Sequence, residues 1–220
     1  RQQKIEMIDL PPFSERDTSD FLQTMSGKKT GREFISTIYN YTGGNPFYLI
    51  ECMRESKRLT GSRRDQGLIS VPDVIKGMLV ERMDMLNPVS LNVLQTASVL
   101  GKKFSPDELE KIVDVSPEAM INALEELTRS GIFKDDPNLL PVGGYTFSHE
   151  IDREFIQSRL SSARRRYLHQ KAAHSILACR GQRPEISARL AEHFEKATEP
   201  AEAVFYWLAA GRYARSIFSQ

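Results

Sequence analysis

The sequence predicts a mainly α-helical protein with one short β-hairpin. Three observations carry that expectation. Apolar residues recur at helical spacing through most of the 220 residues. Gly, Pro, Ser and Asn stand where such segments stop and restart. Two short apolar runs, Ile132-Phe133 and Tyr145-Thr146-Phe147, read as paired strands joined by a Pro- and Gly-containing segment, Asp135 to Gly144.

At roughly 100 to 200 residues per domain, this length allows one large or two to three small domains, and three small ones are expected. Charged residues make up 27% and hydrophobic residues 40%, a balance that supports a packed core without staples. The formal net charge is +1, so no basic surplus marks a dedicated nucleic-acid binder. Cys52 and Cys179 match no C-x-x-C spacing, which predicts a reduced, cytoplasmic setting. No apolar run reaches membrane length and no signal peptide is recognisable, so no membrane partner is expected. The pattern is already under way at Arg1 and still running at Gln220, which predicts a piece of something longer.

Taken in order, Lys4 to Leu10 alternates as a short extended segment and breaks at Pro11-Pro12. Ser14 with Asp17 predicts a capped helix carrying Phe21, Leu22 and Met25, followed by a polar turn from Ser26 to Gly31. Phe34, Ile35, Ile38 and Tyr41 repeat at helical spacing up to Thr42-Gly43-Gly44-Asn45-Pro46, and Phe47, Leu49, Ile50 and Met53 continue beyond it. That junction reads as a tight helix-to-helix corner. Its glycines take the left-handed conformation that closes a helix, Asn45 caps the next helix, and Pro46 occupies a first helical position that needs no N–H. An exposed, electropositive helix N-terminus is the expected result. Lys57 to Ser70 reads as a solvated loop.

Val71-Pro72 opens a helix expected to bury Val74, Ile75, Met78, Leu79, Met83 and Leu86. Helices over 88–100 and 106–113 follow, then one capped by Ser116, carrying Met120, Leu124 and Leu127 and stopped by Gly131. Three helices and a hairpin make the order of a winged-helix domain, expected over 87–160. Beyond it come helices holding Ile151, Phe155, Ile156 and Leu160, then Tyr167, Leu168, Ala172, Ile176 and Leu177. The last two hold Ile186, Leu190, Phe194 and Ala197, then Ala203, Trp207, Ala210 and Ala214. Small and aromatic residues alternate on this final pair, as in tetratricopeptide-like (TPR-like) hairpins, expected over 161–220.

Gly27-Lys28-Lys29-Thr30 imitates the tail of a phosphate-binding loop, but Leu22 stands where the first Gly is required and no buried strand leads in. The chain by itself is therefore not expected to be an enzyme. His149, His169, His174 and His193 form no metal-ligand spacing, and no metal site is expected. His149 ends the second hairpin strand just before a helix, where a ring N–H can be offered to an anion or can simply cap the helix.

Ile5 to Ser14, TGGNPFYL over 42–49, Val71-Pro72 with Arg82 and Leu86, ASVLG over 97–101, YTFSHEIDRE over 145–154 and Leu190 to Phe194 together resemble one family. It is the STAND class of signal-transduction ATPases, in particular the bacterial regulators related to the maltose-regulon activator. The resemblance covers nearly the whole chain. It implies the end of a missing P-loop ATPase domain over 1–14, a helical lid subdomain over 15–86, a winged helix, and the start of a repeat sensor. It also implies that Gly44, Asn45 and Pro46 lie against a nucleotide base, and that His149 touches the β-phosphate of ADP. Phe147-Ser148-His149 departs from the family's Met-His-Asp motif. ATP or ADP, with Mg at the missing domain, would be the parent's cofactor.

The function expected from the resemblance is a regulatory segment closing over nucleotide held by its own ATPase domain and relaying an inducer at the repeats to an output, with transcription regulation foremost. DNA would be reached only through a separate output domain. The alternatives are a protein-interaction scaffold and a winged-helix DNA-binding module. Against the latter, the helix after Ser116 carries Glu118, Glu125 and Glu126 with Arg129 as its base, and Arg164-Arg165-Arg166 lies outside that domain.

Overall fold

The computed structural model describes residues 11–27, 31–58, 71–139 and 143–218. The extended segment expected over Lys4 to Leu10 lies outside the described residues, as does 59–70 of the expected loop. The protein is mainly helical with one small antiparallel sheet. It divides into two compact units, Arg1–Leu79 with His149–Ile151, and Val80–Ser148 with Asp152–Gln220. Among the described residues no helix is long and apolar enough to cross a membrane.

The first unit contains α1 (Glu15–Ser26), α2 (Arg32–Thr42), α3 (Pro46–Arg58) and the start of α4 (Asp73–Asp84). Ser14 and Asp17 form a reciprocal capping box at α1: the Ser14 hydroxyl accepts from the Asp17 N–H at 3.1 Å, and the Ser14 N–H donates to the Asp17 carboxylate at 3.0 Å. Leu22, Ile38, Leu49, Cys52 and Ile75 make the dry centre of this unit. Two expectations need correction. Lys57 and Arg58 belong to α3, not to a loop. On α4, Ile75 and Leu79 are buried, but Val74 is 54% and Met78 41% exposed. The apolar residues of α4 form two adjacent i, i+4 rows, and the core covers one of them.

The second unit takes in the end of α4, then α5 (Pro88–Leu100), β1 (Lys103–Phe104), α6 (Pro106–Glu110), α7 (Pro117–Arg129), β2 (Phe133–Asp136) and β3 (Gly144–Phe147). Asn87, Ser105 and Ser116 cap their helices, each with Pro at or next to the first helical position. The sheet runs β1-β3-β2, with Phe104 opposite Tyr145 and Phe133 opposite Phe147. Strand β1 was not expected, because two residues are too short to show alternation. The helix expected over 106–113 ends at Glu110, and Ile112 and Val113 reach the core from the turn behind it. Phe104, Phe133 and Phe147 meet edge-to-face or tilted, with ring centres 4.8 to 6.2 Å apart.

From Asp152 the same unit continues through the rest of α8 (Glu150–Ser158), α9 (Ser162–Arg180), a single 3-10 turn (Pro184–Ile186), α10 (Ser187–Lys196) and α11 (Pro200–Phe218). One continuous apolar core links the helix-and-sheet part to the last three helices, from Val93 and Leu94 through Phe147 and Ile176 to Phe194 and Tyr206. The aromatic ring expected between α10 and α11 is present, but it belongs to Tyr206 and not to Trp207. Tyr206 lies parallel to Phe194 at 5.4 Å, flanked by buried Ala191 and Ala203. Trp207 is 42% exposed and donates its indole N–H to Glu195 at 3.2 Å. Ala214 is exposed, and so is Tyr167, whose ring lies under the cations of Arg164 and Lys171. Residues 203–210 are almost continuously apolar, so periodicity alone does not set the phase of α11.

This phase is testable by stability. Tyr206→Ala should cost about 3 kcal/mol or more as a buried aromatic truncation, and Trp207→Ala below about 1 kcal/mol. Urea denaturation of the two variants measures both, and a larger loss for Trp207→Ala would overturn the assignment.

Candidate functional site

The helix corner forms from backbone geometry that few residues tolerate. Gly43 closes α2 in the left-handed region, at φ 62°, and donates to the Tyr39 carbonyl at 2.8 Å. Gly44 follows at φ 73°. Its carbonyl accepts the Phe13 N–H at 2.9 Å, which brings the two backbones so close that any Cβ at position 44 would collide with the Phe13 carbonyl oxygen. Beneath the corner, the buried Thr42 hydroxyl donates to the Ile38 carbonyl at 2.8 Å. Phe13 in turn packs its ring on Phe21 at 5.6 Å.

Asn45 and Pro46 start α3 as expected. The Asn45 side-chain oxygen accepts from the N–H groups of Phe47 at 3.0 Å and Tyr48 at 3.4 Å, and its main-chain carbonyl accepts from Leu49 at 2.9 Å. Pro46 has no N–H to offer. The electropositive N-terminus expected here is therefore already occupied from within: the first-turn amides are satisfied by Asn45 and do not wait for an anion. What the corner does present is a small apolar lip, with Pro46 exposed and Phe47 39% exposed.

His149 reaches this corner. It belongs to the first unit, and its ring meets the Tyr48 ring edge-on with centres 4.8 Å apart. Tyr48 itself is 3% exposed, on the first turn of α3 just inside Asn45-Pro46. Tyr48 thus touches two of the sequence-derived residues, meeting the His149 ring with its own ring and donating its N–H to the Asn45 side chain, while Gly44 and Pro46 precede it in the same corner. Tyr48 was not singled out from the sequence as the connecting residue, although it lies within the TGGNPFYL stretch. The lysines and threonine of the loop-like Gly27-Lys28-Lys29-Thr30 fall outside the described residues, and Gly27 is the left-handed cap of α1 at φ 65°.

Two buried polar clusters in the second unit carry no sequence motif for chemistry. Glu108 is fully buried on α6. Its carboxylate accepts from Arg189 at 3.0 and 3.1 Å and from Arg180 at 3.1 Å, and its main-chain carbonyl accepts from the Ser175 hydroxyl at 2.6 Å. Burial pushes its pKa up, but the hydrogen bond and charge of Arg189, the charge of Arg180 and the Ser105 N–H outweigh that, and the net pKa lies below the ordinary value. His169 and His193 bring their Nδ1 atoms to 3.0 Å, so one ring donates and the other accepts. Desolvation first, then the cations Lys196, Arg165 and Arg153 for His169, and His169, Arg189 and Lys196 for His193, hold both rings neutral, well below the usual imidazole value. Burial, then the charge of Glu51, pushes the Cys52 thiol up to about 12, which leaves it an unreactive core residue. Among the described residues no group of three or more His, Cys, Asp or Glu side chains could hold a metal ion.

No family model matches the chain, and no curated protein matches it.

Two predictions follow from these geometries. Gly44→Ala should destabilise the first unit by about 2 kcal/mol or more, through positive φ and backbone collision together. Gly77→Ala, in open space on α4, should stabilise by about 0.5–1 kcal/mol. Thermal unfolding of the pair checks both signs.

Glu108→Gln leaves two arginines facing a neutral side chain and should cost about 3 kcal/mol at neutral pH. Because the folded-state pKa of Glu108 is depressed, its contribution is present above the unfolded value of about 4.3 and is lost as pH falls through the lower folded value. The histidines act higher: the unfolded chain takes up protons that the folded pair refuses, so stability also falls below about pH 6.5. Denaturation curves from pH 7 to 3 should show the upper limb in both proteins and the lower limb in the wild type alone.

Proposed function

We propose that this chain is the regulatory segment of a STAND-type ATP/ADP-dependent signalling protein. In this reading 15–86 is the helical lid, 87–160 a winged-helix domain and 161–220 the first TPR-like hairpins. The nucleotide and its Mg are held by a P-loop ATPase domain outside this chain. The single observation that carries the reading is the packing of His149 on Tyr48, which sets the strand-end histidine beside the Gly44-Asn45-Pro46 corner. The composition of the corner suits the nucleotide it would meet. Exposed Pro46 and Phe47 offer an apolar edge to a flat base, and with the first-turn amides satisfied a phosphate would be met by side chains, His149 foremost in this reading.

Such a site acts as a switch and not as a catalyst. A ligand held by the lid corner and by a histidine beyond the sheet favours the arrangement in which both reach it, and a change of nucleotide changes that preference. The output fits transcription regulation, through a separate DNA-binding domain. A protein-interaction scaffold is the second reading, favoured by exposed Val204, Phe205 and Leu208 on α11. A DNA-binding role for the helix-and-sheet part is disfavoured: Glu126 on α7 is tied to Asn87 and Ser90, and Arg164 and Arg165 bond to Asn92 and the Leu160 carbonyl.

The coding sequence ahead of Arg1 should carry a strand followed by G-x-x-x-x-G-K-[ST]. In the full-length protein, His149→Ala should weaken ADP retention about tenfold, the scale of one hydrogen bond to a charged group, and should raise basal output. Unchanged ADP affinity together with unchanged basal output would falsify the switch. A missing P-loop upstream would turn the assignment to the scaffold.

A further inference from the structure

Between the 3-10 turn and α11, along 205–216, lies an open groove of about 390 Å³, within the range of ligand-binding clefts. Its floor and walls are aromatic, from Phe205, Tyr206 and Tyr213, with Pro184 on the opposite side. Its charge is of one sign. Arg183 enters from the turn and Arg212 from α11, no carboxylate lines it, and neither arginine has a carboxylate partner among the described residues. Glu185, the neighbouring acid on the turn, does not line the groove.

The surroundings extend this polarity along the helix. Toward its N-terminal half, α11 exposes Val204 and Phe205 at 58% each and Leu208 at 57%. One turn past Arg212, Arg215 adds another exposed cation on the neighbouring position. The surface therefore reads as an apolar shoulder, an aromatic groove and a cationic end. A planar guanidinium held beside aromatic rings, free of an internal partner, is suited to a carboxylate that brings apolar atoms with it.

We propose that this groove docks an acidic peptide segment of a partner protein, with an apolar side chain of the peptide seated on Phe205 and Tyr213 and its carboxylates paired with Arg183 and Arg212. A basic or purely apolar segment does not fit: the first meets like charge and the second leaves both arginines unpaired. The proposal is independent of the nucleotide reading, since it involves none of Gly44, Asn45, Pro46 or His149.

The test is fluorescence anisotropy of the full-length protein with a labelled peptide of alternating Glu and Leu, set against its Lys/Leu counterpart. The acidic peptide should bind and the basic one should not. Arg183→Glu with Arg212→Glu should weaken binding at least about tenfold, and so should Phe205→Ser, while ADP affinity stays at its wild-type value. Raised salt should weaken the complex. Equal binding of both peptides, or binding indifferent to the double charge reversal, overturns the proposal. So does sedimentation showing that the groove is closed by a second copy or by another part of the same chain, detected as self-association or compaction lost in Phe205→Ser.

Discussion

A carboxylate sealed from water fixes how the helices of the second unit register on one another. Glu108, on α6, is reached by groups from two other helices, α9 and α10. Ser105 and Glu108 cap α6 reciprocally, Arg180 and Ser175 come from α9, and Arg189 comes from α10 and also donates to the carbonyl of Leu100 at the end of α5. A buried charge of this kind adds little net stability compared with an apolar core, but removing one partner is costly, because the remaining charge is left unpaired in a low-dielectric site. The last helices therefore cannot slide along α5 and α6 without breaking it. If the chain relays a signal, residues around this carboxylate move together, and movement has to be taken up elsewhere.

The candidate site rests on the opposite kind of constraint, a backbone contact without charge. Gly44 must be glycine twice over, for its positive φ and for its approach to Phe13. Asn45 then consumes the first-turn amides of α3, and Tyr48 is buried against the His149 edge. The corner is rigid and internally satisfied, which is why its exposed parts are apolar. A ligand meeting it finds shape and a histidine, with little free hydrogen-bonding capacity of the backbone itself.

The sequence was most legible where signals are local. Ser14-Asp17, Asn45-Pro46, Asn87-Pro88 and Ser116-Pro117 each name a helix start by chemistry that acts within four residues, and each start was found there. The corner residues were legible for the same reason. Long-range pairings were not. Neither the Glu108 cluster nor the His169–His193 contact has a spacing that announces it, because their members lie on separate helices that only packing brings together. Strand β1 was invisible because it borrows its regularity from β3.

Helical phase was the other loss, and it is informative. On α4 and α11 the apolar residues exceed what one face can bury, and the sequence offers no rule for choosing among adjacent rows. The structure leaves over Val74 and Met78 on one helix, and Val204, Phe205, Trp207 and Leu208 on the other. Isolated exposed apolar residues are ordinary, but several on consecutive turns, next to an aromatic groove whose arginines have no carboxylate partner among the described residues, mark a surface built for contact, with further chain of this protein or with a partner. Where pattern and burial disagree on the same helix, the surplus is better explained by a surface that meets something than by a core that failed to form.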